Sequence, residues 1–341
     1  MRANTDWFRD AKWGVFVHYL AGLPSADDPE ASSPEKWNVR TDGFDVEGLA
    51  AQLAEVKAGY FFITLGQNSG FMLSPNATYD CLVPRRPSRL SRRDLVADLI
   101  EALRPYDIPV MVYLPSHAPA LDREAVQGLQ CTPPWDASCW QLRPGTYLIE
   151  GEVDARLSAF QRNWEAVIRE WSLRWGKGVR GWWFDGCYKA DIMYRSPDEP
   201  NFKSFAAAVK AGNPDSLVAF NPGVKVPVIC HSEYEDYTAG EVADSFPVCM
   251  DAFYDREDKP EKYWGQPIER FVDGAQYHLL TFMGPYWCRG LPRFSPEMVI
   301  GYTKHVSSLE GVISWDVPTS EAGLIPEPFM EQFRALRDAT R

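Results

Sequence analysis

Asp185, Glu233, Glu235, Asp236, Glu241 and Asp316 stand at, or just beyond, the ends of short apolar runs that read as strands. Trp37, Trp135, Trp140, Trp264 and Trp287 lie in the loops around them, and the amides of Gln67 and Asn68 follow another run. Carboxyls, planar rings and amides are the parts of a sugar pocket. Rings lie under the apolar face of a pyranose, polar groups take its hydroxyls, and two carboxyls flank the scissile bond. The sharpest of these positions is Asp185, which ends Val179-Arg-Gly-Trp-Trp-Phe-Asp-Gly186. An acid behind three aromatics is costly to bury unless it is paired or has a task. The plain alternative is an aspartate that caps the next loop, and the surrounding fold decides between the two.

Other chemistries lack their parts. Gly176-Lys-Gly-Val-Arg-Gly181 spells a dinucleotide-binding pattern, but it follows a helix and precedes a strand, the reverse of what a phosphate at a helix N-terminus needs. There is no P-loop, no Gly-x-Ser-x-Gly elbow and no His-Glu-x-x-His. The five histidines are scattered. His18, Asp185 and Asp316 share strand ends, yet no short-spaced pair supplies a second ligand, so no metal and no cofactor is expected.

The elements that position these residues alternate. Apolar strand-like runs at 14–20, 60–65, 109–114, 179–186, 216–220, 276–283 and 311–317, with a weak one near Ser245 to Met250, are separated by amphipathic helices. One helix carries Leu49, Leu53 and Val56, and another opens Ser91-Arg-Arg-Asp94 as a capping-box pattern and carries Leu95, Leu99 and Leu103. A long helix from about Val153 to Trp175 aligns Leu157, Phe160, Trp164, Val167 and Trp171, and the last stripes Phe329, Phe333 and Leu336. Such alternation means a parallel sheet. Helix-to-strand connections are brief, whereas strand-to-helix connections are long (21–45, 66–90, 115–152, 222–244). Long loops all on one side fit an eight-stranded (β/α)8 barrel that builds its site on the C-terminal face of the strands, with an open doubly wound sheet as the runner-up.

At 341 residues the chain has room for one barrel with long loops. Lysine and arginine number 35 against 47 acidic residues, a net charge of −12, which argues against nucleic-acid and anionic-membrane partners. No apolar run is long enough to span a bilayer. No basic-then-apolar leader follows Met1, so a cytoplasmic chain, or the mature form of an exported one, is expected. Seven cysteines without Cys-x-x-Cys read as free thiols rather than a disulfide framework, although Cys131 and Cys139 are close enough in sequence to pair. Asn76-Ala-Thr78 matches a glycosylation sequon, which carries little weight without a secretion signal.

The chain resembles the α-L-fucosidases of glycoside hydrolase family 29. The resemblance runs through Trp7-Phe-x4-Trp13-Gly-Val-Phe-Val-His18, Ser33-Pro-Glu-Lys-Trp37, Phe44-Asp45, Lys57-Ala-Gly-Tyr-Phe-Phe-Ile-Thr64 and Arg93-Asp94-Leu-Val. It continues through Trp183-Phe-Asp-Gly186, Asp236-Tyr-Thr-Ala-Gly-Glu241 and Val317-Pro-Thr-Ser-Glu-Ala-Gly-Leu-Ile-Pro-Glu327. It covers nearly the whole chain in order. It implies a single catalytic barrel over 1–341, without the β-sandwich that often follows in that family, and a retaining exo-glycosidase acting on an oligosaccharide or glycoconjugate. Asp185 is then the nucleophile and Glu241 the general acid, with Glu233 as the second candidate. His18, Trp37, Gln67, Asn68, Tyr113, Trp183, Glu233, Trp287 and Asp316 are the expected sugar-binding residues.

Departures from the family pattern fall on ligand-reading positions. Gln67-Asn68 stands where a His-His pair is usual, His18-Tyr19 where His-Trp is usual, and Asn221-Pro-Gly223 lacks an arginine common beyond that asparagine. Amides still donate to and accept from hydroxyls, but with a different reach and no charge. A different sugar in the same machinery is therefore the second reading. A binding protein that has lost its chemistry is the third, and the intact Asp185 strand argues against it.

Overall fold

The computed structural model describes residues 2–22, 27–28, 30–131, 156–188, 190–248 and 268–340. Trp135, Trp140, Trp264 and Cys139 lie outside the described residues, and Cys131 is buried. Eight parallel strands form one curled sheet. They are β1 (Trp13–Val17), β2 (Phe61–Thr64), β3 (Val110–Pro115), β4 (Val179–Asp185), β5 (Leu217–Phe220), β6 (Glu241–Ala243), β7 (His278–Phe282) and β8 (Val312–Val317). The first strand pairs with the last (Phe16 with Asp316) as well as with the second, the mark of a (β/α)8 barrel rather than an open doubly wound sheet. Among the described residues no helix is long and apolar enough to cross a membrane.

The alternating pattern places the elements well, with local exceptions. The sixth strand lies at Glu241–Ala243, before the expected Ser245 to Met250 stretch, of which only residues 245–248 are described and carry no strand. Its stretch carries a single buried apolar side chain, Val242, and a positive φ at Ala243, so hydropathy does not reveal it. The helix expected to open at Ser91 is Leu95–Leu103, capped by Asp94, whose carboxylate accepts from the Ala97 N–H. Ser91 instead accepts from the Arg93 N–H. The long helix is described as Ser158–Trp175. Asn76 is no glycan acceptor: it is buried, caps the helix Ala77–Leu82 and donates to the Val167 carbonyl.

The strands sort side chains by their period of two. Phe16, Phe62, Met111, Tyr113, Trp183, Ala219 and Leu280 fill the barrel, and Phe8, from the short N-terminal helix Asp6–Ala11, packs among them. Val15, Val17, Ile63, Val112, Trp182, Phe184, Val218 and Phe220 face the helices instead. Because Trp183 points inward, Asp185 two residues later points inward too, at the C-terminal mouth. The same step carries the chain from Phe16 to His18.

Seven of the strand junctions in this order are backbone ladders, and the eighth is not: β5 and β6 share no ladder. One backbone bond and two side chains of the segment before β6 join them. The Asp236 N–H donates to the Val218 carbonyl (2.8 Å) while its Oδ2 accepts from the Val218 N–H (2.9 Å). Glu235 accepts from the Phe220 N–H through Oε2 (3.2 Å). Lys210 Nζ and the Ala3 N–H complete the shell of Asp236, at 2.7 and 2.6 Å. On the far side the segment hands over to ordinary pairing, with Leu280 N–H donating to the Gly240 carbonyl.

Candidate active site

At the mouth, the ends of β4, β5 and β6 bring two carboxyls together on one amide. Asn221, fully buried at the end of β5, donates from Nδ2 to Oδ1 of Asp185 (2.8 Å) and to Oε2 of Glu241 (2.6 Å). Only the nitrogen of an amide can serve two carboxylates, so the orientation of the group follows from its partners. Its own Oδ1 accepts from the Gly223 N–H, in a turn where Gly223 has φ +89° and a Cβ would meet the Tyr188 ring at 3.1 Å. Two bonds from one nitrogen set the bridged oxygens at most 5.4 Å apart, the sum of the two lengths.

Asp185 is held on its other oxygen as well. The Tyr113 hydroxyl donates to Oδ2 (2.7 Å), and Gln67 Nε2 donates to that hydroxyl in turn (2.9 Å). Tyr113 lies stacked on Trp183 with ring centroids 5.3 Å apart. Burial and the Asp185 charge push its phenol well above its ordinary range, so it remains a donor. Tyr188 adds a long contact to Oδ1 at 3.5 Å. Burial, and then the neighbouring Asp185 charge, push Glu241 up to about 7, against the pull of the Asn221 donor.

Across the mouth, His18 Nδ1 meets Oδ1 of Asp316 at 2.7 Å, and the Cys288 N–H donates to Oδ2 of the same carboxylate at 2.6 Å. The pairing commits Nδ1 to Asp316 and leaves Nε2 as the other nitrogen on a ring that lines the cavity. Asp316 itself is fully buried behind the ring. Trp287, edge-on to Phe282, forms part of the opposite wall. These groups enclose a cavity of about 190 Å³, with Leu20 and Leu280 as its apolar patches. Among the described residues no three His, Cys, Asp or Glu side chains gather to hold a metal ion. A larger hollow of about 700 Å³ between the helix Pro34–Asp42 and the Glu321 loop lies apart from the paired carboxyls.

His18, Gln67, Tyr113, Trp183, Asp185, Glu241 and Trp287 thus share one cavity, with Asp316 directly behind. Three of the expected residues do not. Trp37 is a core side chain, packed on Tyr19 and Phe71, with its indole N–H on the Met72 carbonyl. Asn68 is buried away from the cavity wall, because the backbone turns after Gln67. Glu233 is exposed, because the segment after β5 turns Glu235 rather than Glu233 toward the barrel. Glu235 and Asp236 join strands. Sequence reasoning passed over Asn221 as a site residue, and did not select Tyr188, Asp27, Leu20, Tyr286 or Cys288. Only Asn221, at the end of a strand, carried a signal of the kind used for Asp185.

No family model matches this chain, and no curated protein sequence does. Solved structures do resemble it. An endo-fucoidan hydrolase of glycoside hydrolase family 107 superposes with a TM-score of 0.67 at 15% identity, over 98% of this chain and 53% of its own. A second hydrolase of that family gives 0.66 at 16%, and the chain spans 63% of it. An α-L-fucosidase, solved as a fucosyltransferase mutant, gives 0.60 at 14% identity and is covered, like this chain, over 98% of its length. The chain has the barrel fold shared by these fucosidases and fucoidan hydrolases.

Proposed function

We propose that this protein is a retaining exo-glycosidase that removes a terminal α-L-fucosyl residue, or a sugar of similar ring configuration, from an oligosaccharide or glycoconjugate. The observation that carries the reading is the bridge through Asn221, which holds Asp185 and Glu241 within 5.4 Å at their nearest oxygens. Retaining enzymes keep their carboxyls roughly 5–5.5 Å apart, whereas inverting enzymes leave roughly 6.5–9.5 Å for a water. The small cavity supports action on one terminal ring. Leu20 and Leu280 suit the methyl group of a 6-deoxy sugar. The fold likeness to fucosidases points the same way.

In this mechanism Asp185, fixed at both oxygens by Tyr113 and Asn221, attacks the anomeric carbon as Glu241 protonates the departing glycosidic oxygen. Esterification removes the Asp185 charge. That charge is one of the causes holding Glu241 up at about 7, so the glutamate then ionises more readily and takes the proton of the incoming water. One neighbour therefore switches the acid into a base at the step that needs it.

The test is a panel of aryl glycosides that includes the α-L-fucoside, with the anomer of the first product followed by NMR. Retention is expected for the wild type. Asp185→Gly is expected to be inactive until azide is added, and then to release the glycosyl azide of opposite configuration, because azide enters from the vacated side. An inverted wild-type product, or a D185G enzyme with more than a few per cent of normal activity, overturns the assignment.

A further inference from the structure

One acid in the cavity has no part in the mechanism. Asp27, on the loop between β1 and the helix Pro34–Asp42, lines the same cavity as His18 and Gln67. Its Oδ2 accepts from the Ser69 N–H at 2.6 Å. Its Oδ1 is out of contact with solvent and has no hydrogen-bond partner. A buried acceptor without a donor bears its full desolvation cost, and such groups persist where a ligand supplies the partner. Burial pushes the Asp27 carboxyl up to about 6, against the pull of the Ser69 hydroxyl and N–H.

The barrel says which end of a sugar this oxygen meets. Asp185 and Glu241 rise from β4 and β6, so the anomeric carbon lies on that side of the mouth. Asp27 and His18 come from the loop and end of β1, opposite β5 in the strand order, while Gln67 follows β2 and reaches Asp185 through Tyr113. In a pyranose, the ring edge opposite the anomeric carbon is C3–C4. We infer that Asp27 is a specificity-determining residue whose Oδ1 accepts a hydrogen bond from the C3 or C4 hydroxyl of the bound sugar. Beside it, His18 offers Nε2, with Nδ1 held by Asp316. Gln67 has committed one amide N–H to Tyr113, which leaves its second N–H and its carbonyl oxygen for the ligand. Two acceptors and one imidazole suit a pair of adjacent hydroxyls.

This inference rests on the glycosidase reading, and the experiment separates the two. Asp27→Ala and Asp27→Asn are compared with wild type on the nitrophenyl α-L-fucoside and on its 3-deoxy and 4-deoxy analogues, with melting curves to check that both variants fold. Losing a hydrogen bond to a charged acceptor is expected to lower kcat/KM on the parent sugar by on the order of 10- to 100-fold. On the analogue lacking the hydroxyl that Asp27 reads, the same variants should lose less than about twofold. D27N keeps the Ser69 acceptor and guards against a misplaced loop. An equal loss on all three sugars, or no loss on the parent, overturns the inference while the wild-type activity keeps the glycosidase reading. If the wild type cleaves none of them, that reading fails. Binding of free L-fucose and its two deoxy forms, followed by the fluorescence of Trp183 and Trp287 in the cavity wall, then decides for Asp27. Equal affinities of wild type and D27A, or no binding by either, overturn it.

Discussion

The hydroxyl of Tyr113 lies 2.7 Å from Oδ2 of Asp185, with the proton on the phenol. The bond fixes the direction of the carboxylate. Tyr113→Phe keeps the ring stacked on Trp183 and removes only the donor. The expected result is a loss of about 10- to 100-fold in kcat with KM little changed. A kcat within about twofold of wild type in Y113F means that the phenol merely packs.

Asn221→Ala takes away the donor that opposes the rise of Glu241 to about 7. The glutamate should then hold its proton to still higher pH. Since the general acid works protonated, the alkaline limb of kcat/KM should move upward while the rate falls, because both carboxyls lose a common anchor. A downward shift contradicts the bridging role.

For Glu241, activity should decline about tenfold per pH unit above roughly neutrality, as the raised carboxyl gives up its proton. Glu241→Gln should remove that limb. It should slow a natural disaccharide by roughly 10²–10⁴-fold and a nitrophenyl glycoside much less, because that leaving group departs without a proton. Equal losses on both substrates reduce Glu241 to a sugar-positioning group.

The β5–β6 seam gives a prediction about stability. Asp236→Ala leaves the Lys210 ammonium and the N–H groups of Val218 and Ala3 without their acceptor. Stranding the part-buried Lys210 charge and the two N–H groups costs up to about 3–5 kcal/mol, a fall in Tm of roughly 4–7 °C for a chain of this size. Lys210→Met combined with Asp236→Asn should recover part of that loss, because no ion is left unpaired. A D236A melting curve within a degree or two of wild type removes the seam from the fold's supports.

Much of this architecture is legible in the chain. Periodicity marks the strands with dense apolar runs, and the alternation through Trp183 puts Asp185 in the mouth. The exceptions share a cause. The run at β6 holds together through side-chain bonds to β5 and backbone bonds to β7, and neither leaves a trace in local hydropathy. Asn221 acquires its place only when three strand ends converge, so its spacing from Asp185 or Glu241 carries no pattern. Trp37 and Glu233 mislead for the opposite reason. Residue type marks them as sugar ligands, but a core hydrogen bond and an exposed turn claim them.

A ladder between strands is a rigid joint, because its length is set by the peptide unit and no substitution can stretch it. The joint that carries Glu241 toward Asp185 is of another kind. Apart from one backbone bond, from the Asp236 N–H to the Val218 carbonyl, it is made from the side chains of Glu235, Asp236 and Asn221, and therefore lies largely within reach of single codon changes. One methylene more at position 221, as in Asn221→Gln, lengthens the tie between the two carboxyls and leaves the other seven junctions alone. On the proposed mechanism, the gap that separates retention from inversion is thus an adjustable dimension in this barrel, and stereochemical course can drift without any change of fold.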